Sequence, residues 1–115
     1  MAVWTYRIDQ DDFIAAEGPP GTDENVRLAL ETLVIPFGTS ADLAETYLRE
    51  WRTKEREAAG QVYTLGTPSA SVTRIDPERV EIVDLYGQFR TCVARVEEFE
   101  CAIACLARFL RARPF

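Results

Sequence analysis

At Gly60 the hydrophobic period of the chain changes from that of a helix to that of a strand, so no fold built from one kind of element accommodates it. Before that point Leu43, Ala44, Tyr47, Leu48, Trp51 and Ala58 share one face of a helix that Thr39 opens as N-cap and Gly60 closes. Asp42 suits its positive end. Glu45–Arg49 and Glu50–Lys54 stand i,i+4 on the opposite face, pairs worth about 0.2–0.5 kcal/mol each. After Gly60, Gln61–Leu65 and Val72–Ile75 alternate as strands around a Gly66-Thr67-Pro68-Ser69 loop. The next turns predict a register. Asp76-Pro77-Glu78-Arg79, as a four-residue loop, sets Ile75 opposite Val80 and Arg74 opposite Glu81. Gly87-Gln88, as a two-residue type II′ loop, sets Tyr86 opposite Phe89, Asp84 opposite Thr91, Val83 opposite Cys92 and Ile82 opposite Val93.

The flanking segments complete the expectation. Val3 to Ile8 predicts a short strand. Asp9 then reads as the cap of a short helix with Asp12 at N3, Ile8 and Phe13 forming a hydrophobic staple. Gly18-Pro19-Pro20-Gly21 is a turn, and a second helix begins at Thr22 or Asp23, carries Val26, Leu30 and Leu33 on one stripe, and stops at Pro36. The last helix runs from about Glu97 to Ala112 with Phe99, Ala102, Ile103, Leu106, Phe109 and Leu110 as its stripe. Glu97, Glu98 and Glu100 sit at its start and Arg108, Arg111 and Arg113 at its end, as the macrodipole favours. The sum is an α+β fold over 1–115: one domain, an antiparallel four- to five-stranded meander packed with about four helices, including a long C-terminal one.

The chain contains no histidine, which removes the commonest general acid/base and the commonest metal ligand. Three cysteines (Cys92, Cys101 and Cys105) fall short of the four ligands of a structural zinc site, and none has an imidazole to activate it. Asp9, Asp11 and Asp12 lack the further ligands and central glycine of a calcium loop. Gly18-Pro19-Pro20-Gly21 lacks the lysine and hydroxyl of a phosphate cradle. The expectation is therefore a non-enzyme without metal or cofactor. The opening Met1-Ala2-Val3-Trp4-Thr5-Tyr6-Arg7 has no leader-like pattern, and no apolar run approaches the roughly 18 residues of a membrane span, so a cytoplasmic location is expected.

Charge is distributed unevenly. Residues 1–50 hold ten carboxylates against three arginines, whereas residues 51–115 hold nine carboxylates against nine arginines and one lysine. A pI near 4.7 argues against nucleic acid or an anionic membrane as partner and favours a basic protein. Solvated helix faces explain much of the acid excess. Helix capping explains Asp9 and Asp12, leaving Asp11, Glu17, Asp23 and Glu24, around the first two helix starts and their joining loop, as a candidate partner-binding patch.

The stretch Val80-Glu81-Ile82-Val83-Asp84-Leu85-Tyr86-Gly87-Gln88-Phe89-Arg90-Thr91, followed by Val96-Glu97-Glu98-Phe99 and a helix, resembles the tail of small bacterial immunity proteins of polymorphic or contact-dependent toxin systems. The likeness is one of layout, over about a third of the chain, and fixes no functional residue. It implies an acidic, cytosolic, non-catalytic inhibitor that binds a cognate toxin domain, often a nuclease with a basic surface. Two other readings stay open: a small-molecule-binding or regulatory domain, dimeric in one version, with a cavity lined by Tyr63, Tyr86 and Trp51; and an enzyme working with carboxylates and tyrosines alone.

Overall fold

The computed structural model describes residues 3–113; Met1 and Ala2, part of the stretch read for a leader, lie outside it. Strand β1 (Thr5–Ile8) pairs antiparallel with β2 (Ile14–Glu17), Tyr6 opposite Ala16 and Ile8 opposite Ile14. The short helix expected after Asp9 is therefore a hairpin. The Asp12 amide donates to the Asp9 carbonyl at 3.1 Å, the Asp9 amide donates to the Phe13 carbonyl at 2.9 Å, and Asp12 has φ 64°. That is a type I turn closed by a left-handed residue, the usual three-residue hairpin loop. The Asp9 carboxylate accepts from the amides of Asp11 (2.8 Å) and Phe13 (3.0 Å), the same chemistry as a helix cap, which is why the two look alike in sequence. Phe13 is 56 % exposed and staples nothing.

Helix α1 (Glu24–Leu33) starts where expected, with the Asp23 carboxylate accepting from the Val26 amide at 3.1 Å. It ends at Leu33, and Pro36 lies inside a 3-10 turn, Ile35–Phe37. Helix α2 (Ala41–Ala58) is capped by Ser40, one residue later than Thr39: its hydroxyl accepts from the Leu43 amide at 3.2 Å. Leu43 is half-exposed, and Ala41 takes its place in the buried face. Neither expected i,i+4 pair forms. Glu45, with Asp42, binds Arg111 of helix α3 (Val96–Ala112), and Arg49 turns to the Thr46 hydroxyl.

The remaining strands, β3 (Tyr63–Thr64), β4 (Ala70–Asp76), β5 (Arg79–Asp84) and β6 (Cys92–Arg95), form a four-stranded antiparallel meander separate from the β1–β2 pair. The architecture is α+β, with three α-helices and sheets of two and four strands. Both expected registers are off by one. Asp76 pairs with Arg79, leaving Pro77-Glu78 as a two-residue loop, and the ladder slips between Arg74 and Asp76, so that Arg74 faces Val80 and Thr73 faces Glu81. The fixed negative φ of Pro77 forbids the type I′ turn that would match the strand twist, and the irregularity at Ile75 absorbs the mismatch. Between β5 and β6 a longer loop replaces the tight turn, because the Asp84 carboxylate gathers the amides of Tyr86 (2.9 Å) and Phe89 (3.0 Å). Ile82 then faces Cys92 and Val80 faces Ala94. Ala94 is buried and Val93 is 46 % exposed, the reverse of what the sequence register demands.

The helices cover one face of the meander, where Val72, Val80, Ile82 and Ala94 lie. The centre of the core is aromatic. Trp51 of α2 meets Phe99 of α3 edge-on and Tyr63 at a tilt, both at 4.8 Å between ring centres. Each inward polar tip of this region has an acceptor: the Trp51 indole donates to Glu100 at 3.0 Å, the Tyr47 hydroxyl to the Leu65 carbonyl at 2.8 Å, and the Tyr6 hydroxyl to the Ala102 carbonyl at 2.7 Å. Burial drives the Tyr6 and Tyr47 hydroxyls far above the ordinary tyrosine range, so both stay neutral donors.

Ala59, just past α2, has φ 49° and ψ 48°, a left-handed conformation unfavourable for a residue with a Cβ. Ala59→Gly removes about 1–2 kcal/mol of strain against about 0.5–1 kcal/mol of added chain freedom when unfolded. Urea unfolding is expected to show a gain of about 0.5–1 kcal/mol with an unchanged m-value.

Candidate functional site: an acidic groove beside the first hairpin

In an antiparallel pair, alternate residues turn their amide and carbonyl away from the partner strand. Ala16 is such a residue on β2, and its outward groups meet side chains from α1 in place of a third strand. The Ala16 amide donates to Glu31 Oε2 at 2.9 Å, and its carbonyl accepts from Arg27 Nη1 at 3.1 Å. Arg27 and Glu31, one helical turn apart, are joined to each other at 2.8 Å. The same guanidinium grips Glu24 through Nε and Nη2, at 2.9 and 2.6 Å. Its hydrogen bond to Glu24, ahead of the Glu31 charge, holds Arg27 above its usual pKa, and the same bond holds Glu24 below the usual carboxylate range. In the first turn of α1, next to Glu24, the Asn25 amide donates to the Arg90 carbonyl at 2.7 Å and accepts the Arg90 amide at 3.0 Å, ahead of β6.

Between the hairpin and α1 lies an open groove of about 540 Å³, with Arg7, Glu17, Glu24, Arg27 and Glu31 on its walls. Of the four residues picked from the sequence, the groove brings together two. Glu17 projects from the end of β2 and is exposed, and Glu24 opens α1. Asp23 is the cap of α1 and is occupied by the Val26 amide. Asp11 lies at the exposed hairpin tip, outside the groove walls. Arg27 and Glu31 are the residues that sequence reading passed over. The spacing Glu24, Arg27, Glu31 puts all three on one side of a helix, and that signal was available.

A general acid needs a carboxyl whose pKa is raised toward neutrality, whereas Glu24 is held low and Glu31 is engaged by the Ala16 amide and Arg27. Among the described residues no group of three or more Cys, Asp or Glu is arranged to hold a metal ion, and no helix is long and apolar enough to cross a membrane. Trp51 is fully buried against Tyr63 while Tyr86 is 68 % exposed, so these three do not line one enclosed cavity. No protein-family model, curated protein or solved structure matches the chain.

Replacing Glu31 by alanine strips the Ala16 amide of its acceptor and Arg27 of a partner. A loss of about 1–3 kcal/mol is expected in chemical unfolding, the range for a partly buried donor left unpaired. Hydrogen exchange should show the Ala16 amide losing protection first; unaltered protection there would mean that water replaces the carboxylate at no cost.

Proposed function

We propose that this chain is a non-catalytic binding protein of the immunity type, which neutralises a basic, nuclease-like toxin domain by covering its surface. The observation that carries this reading is where the acid excess sits. Between Asp9 and Glu31 there are seven carboxylates and one cation, Arg27, and that cation is spent internally on Glu24 and Glu31. Asp11, Asp12 and Glu17 are left pointing to solvent from one rigid hairpin–helix unit. An arrangement of this kind steers a positively charged partner and raises its association rate, while apolar contacts set how long it stays. Phe13, 56 % exposed next to Asp12 on the same hairpin, offers an apolar contact beside these charges, and Leu85 and Tyr86, 52 % and 68 % exposed on the β5–β6 loop, offer two more.

A second reading, small-molecule binding, is favoured by one feature: a cavity of about 580 Å³ lined by Trp4, Pro19 and Pro20 beside the start of α3. Its size is that of ligand pockets in general.

The deciding experiment is co-purification with the product of the adjacent gene, tested as a toxin domain, followed by association kinetics. Asp11→Lys combined with Glu17→Lys removes no internal hydrogen bond of either carboxylate and is expected to slow association about tenfold or more at low salt, with a shallower salt dependence. Failure of the wild type to bind and inhibit that domain sinks the immunity reading. Binding with unchanged kinetics in the double variant sinks the role of the hairpin's charges.

A further inference from the structure

Cys101 and Cys105 stand one turn apart on α3 with their sulfurs 3.9 Å from each other. Two bonds of about 2.3 Å, typical of a sulfur–metal contact, span at most about 4.6 Å, so a single thiophilic atom bridges both sulfurs without any change in the helix. Arg108 Nη2 donates to the Cys105 sulfur at 3.4 Å and offers a fixed positive charge to a thiolate there. Cys105 is buried, whereas Cys101 is half-buried and forms part of the wall of the 580 Å³ cavity, together with Trp4, Pro19, Pro20, Glu97 and Glu98. Trp4 is 2 % exposed, and its indole N–H has no hydrogen-bond partner among the described residues. Cys92, on β6, is not part of that wall.

The number of ligands decides what such a pair can hold. A tetrahedral metal wants four donors, and among the described residues no third is arranged with the two sulfurs. A trivalent arsenic atom that already carries one organic substituent needs only two. We propose that Cys101 and Cys105 are a dithiol site for a monosubstituted trivalent organoarsenical, with the apolar substituent seated in the cavity against Trp4, Pro19 and Pro20. The chemistry is condensation without change of oxidation state. Two S–H bonds and the arsenic–oxygen bonds break, two arsenic–sulfur bonds form, and the two protons leave with the oxygen as water. Burial, followed by the neighbouring Cys105, pushes the Cys101 thiol above its ordinary pKa, and the reagent supplies the oxygen that carries the displaced protons away.

The test uses phenylarsine oxide on the purified, reduced protein, read by intact mass and by tryptophan fluorescence. One phenylarsenic group per chain is expected, with loss of one water and a change in Trp4 emission that persists in a Trp51→Phe background. Cys101→Ala and Cys105→Ala each leave one sulfur and are expected to bind about 10²–10⁴-fold more weakly, the loss of an intramolecular second attachment. Cys92→Ala should bind as the wild type does. Should Cys105→Ala fail to fold, the half-buried Cys101→Ala decides alone. Equal binding by Cys101→Ala overturns the site, and so does tighter retention of zinc than of the arsenical through the same two sulfurs. Inorganic arsenite binding as tightly as the phenyl compound overturns the role of the cavity.

Discussion

Each of the two sheets has an outer edge whose amides and carbonyls need partners, and α1 supplies side chains in place of strands. Arg27 and Glu31 answer the outward groups of Ala16 on β2, and Asn25 answers both groups of Arg90 ahead of β6. A helix that merely buried Val26, Leu30 and Leu33 would be free to slide or rotate over the core, because hydrophobic contact is non-directional. The hydrogen bonds fix its position on both sides at once. The hairpin, the helix and the meander are thereby set in one arrangement, and the acidic groove exists because of it.

Beneath this frame, α2 and α3 provide bulk. The Trp51–Phe99 contact is shared by both helices, and the tips of Trp51, Tyr47 and Tyr6 reach acceptors on α3 or the neighbouring loop. Arg111 links α3 to Asp42 and Glu45 at the solvent edge of the same interface, an exposed contact of small worth compared with the aromatic burial. Among the described residues, Trp4 holds the one buried side-chain polar atom without a hydrogen-bond partner, and it stands beside the largest apolar cavity described above.

The long, periodic segments were legible from the residues alone. The stripes of α2 and α3 and the Asp23 start of α1 follow directly from spacing and capping chemistry. The failures share a cause. Asp9 resembles a helix cap because an aspartate that accepts two nearby amides does so in a hairpin loop as readily as at a helix start, and only the alternation of Ile14 and Ala16 against Ala15 and Glu17 separates the cases. The meander registers slipped by one because Pro77 and Asp84 act through backbone geometry, one forcing a bulge and the other gathering amides into a longer loop. The spacing of Glu24, Arg27 and Glu31 places them on one side of a helix, but nothing in residue type sets that side against Ala16, because the partner there is a main-chain group of another element.

The carboxylates of the hairpin and α1 thus divide into two populations with different histories ahead of them. Glu31 and Asp23 are tied to backbone amides, and any replacement is felt by the fold. Glu17, and Asp11 at the hairpin tip, are tied to nothing inside the molecule by their carboxylates. Selection can therefore alter the electrostatic face of this protein one residue at a time along the hairpin while the scaffold that carries it is held constant. In that separation of framework from display, the exposed charges have room to drift.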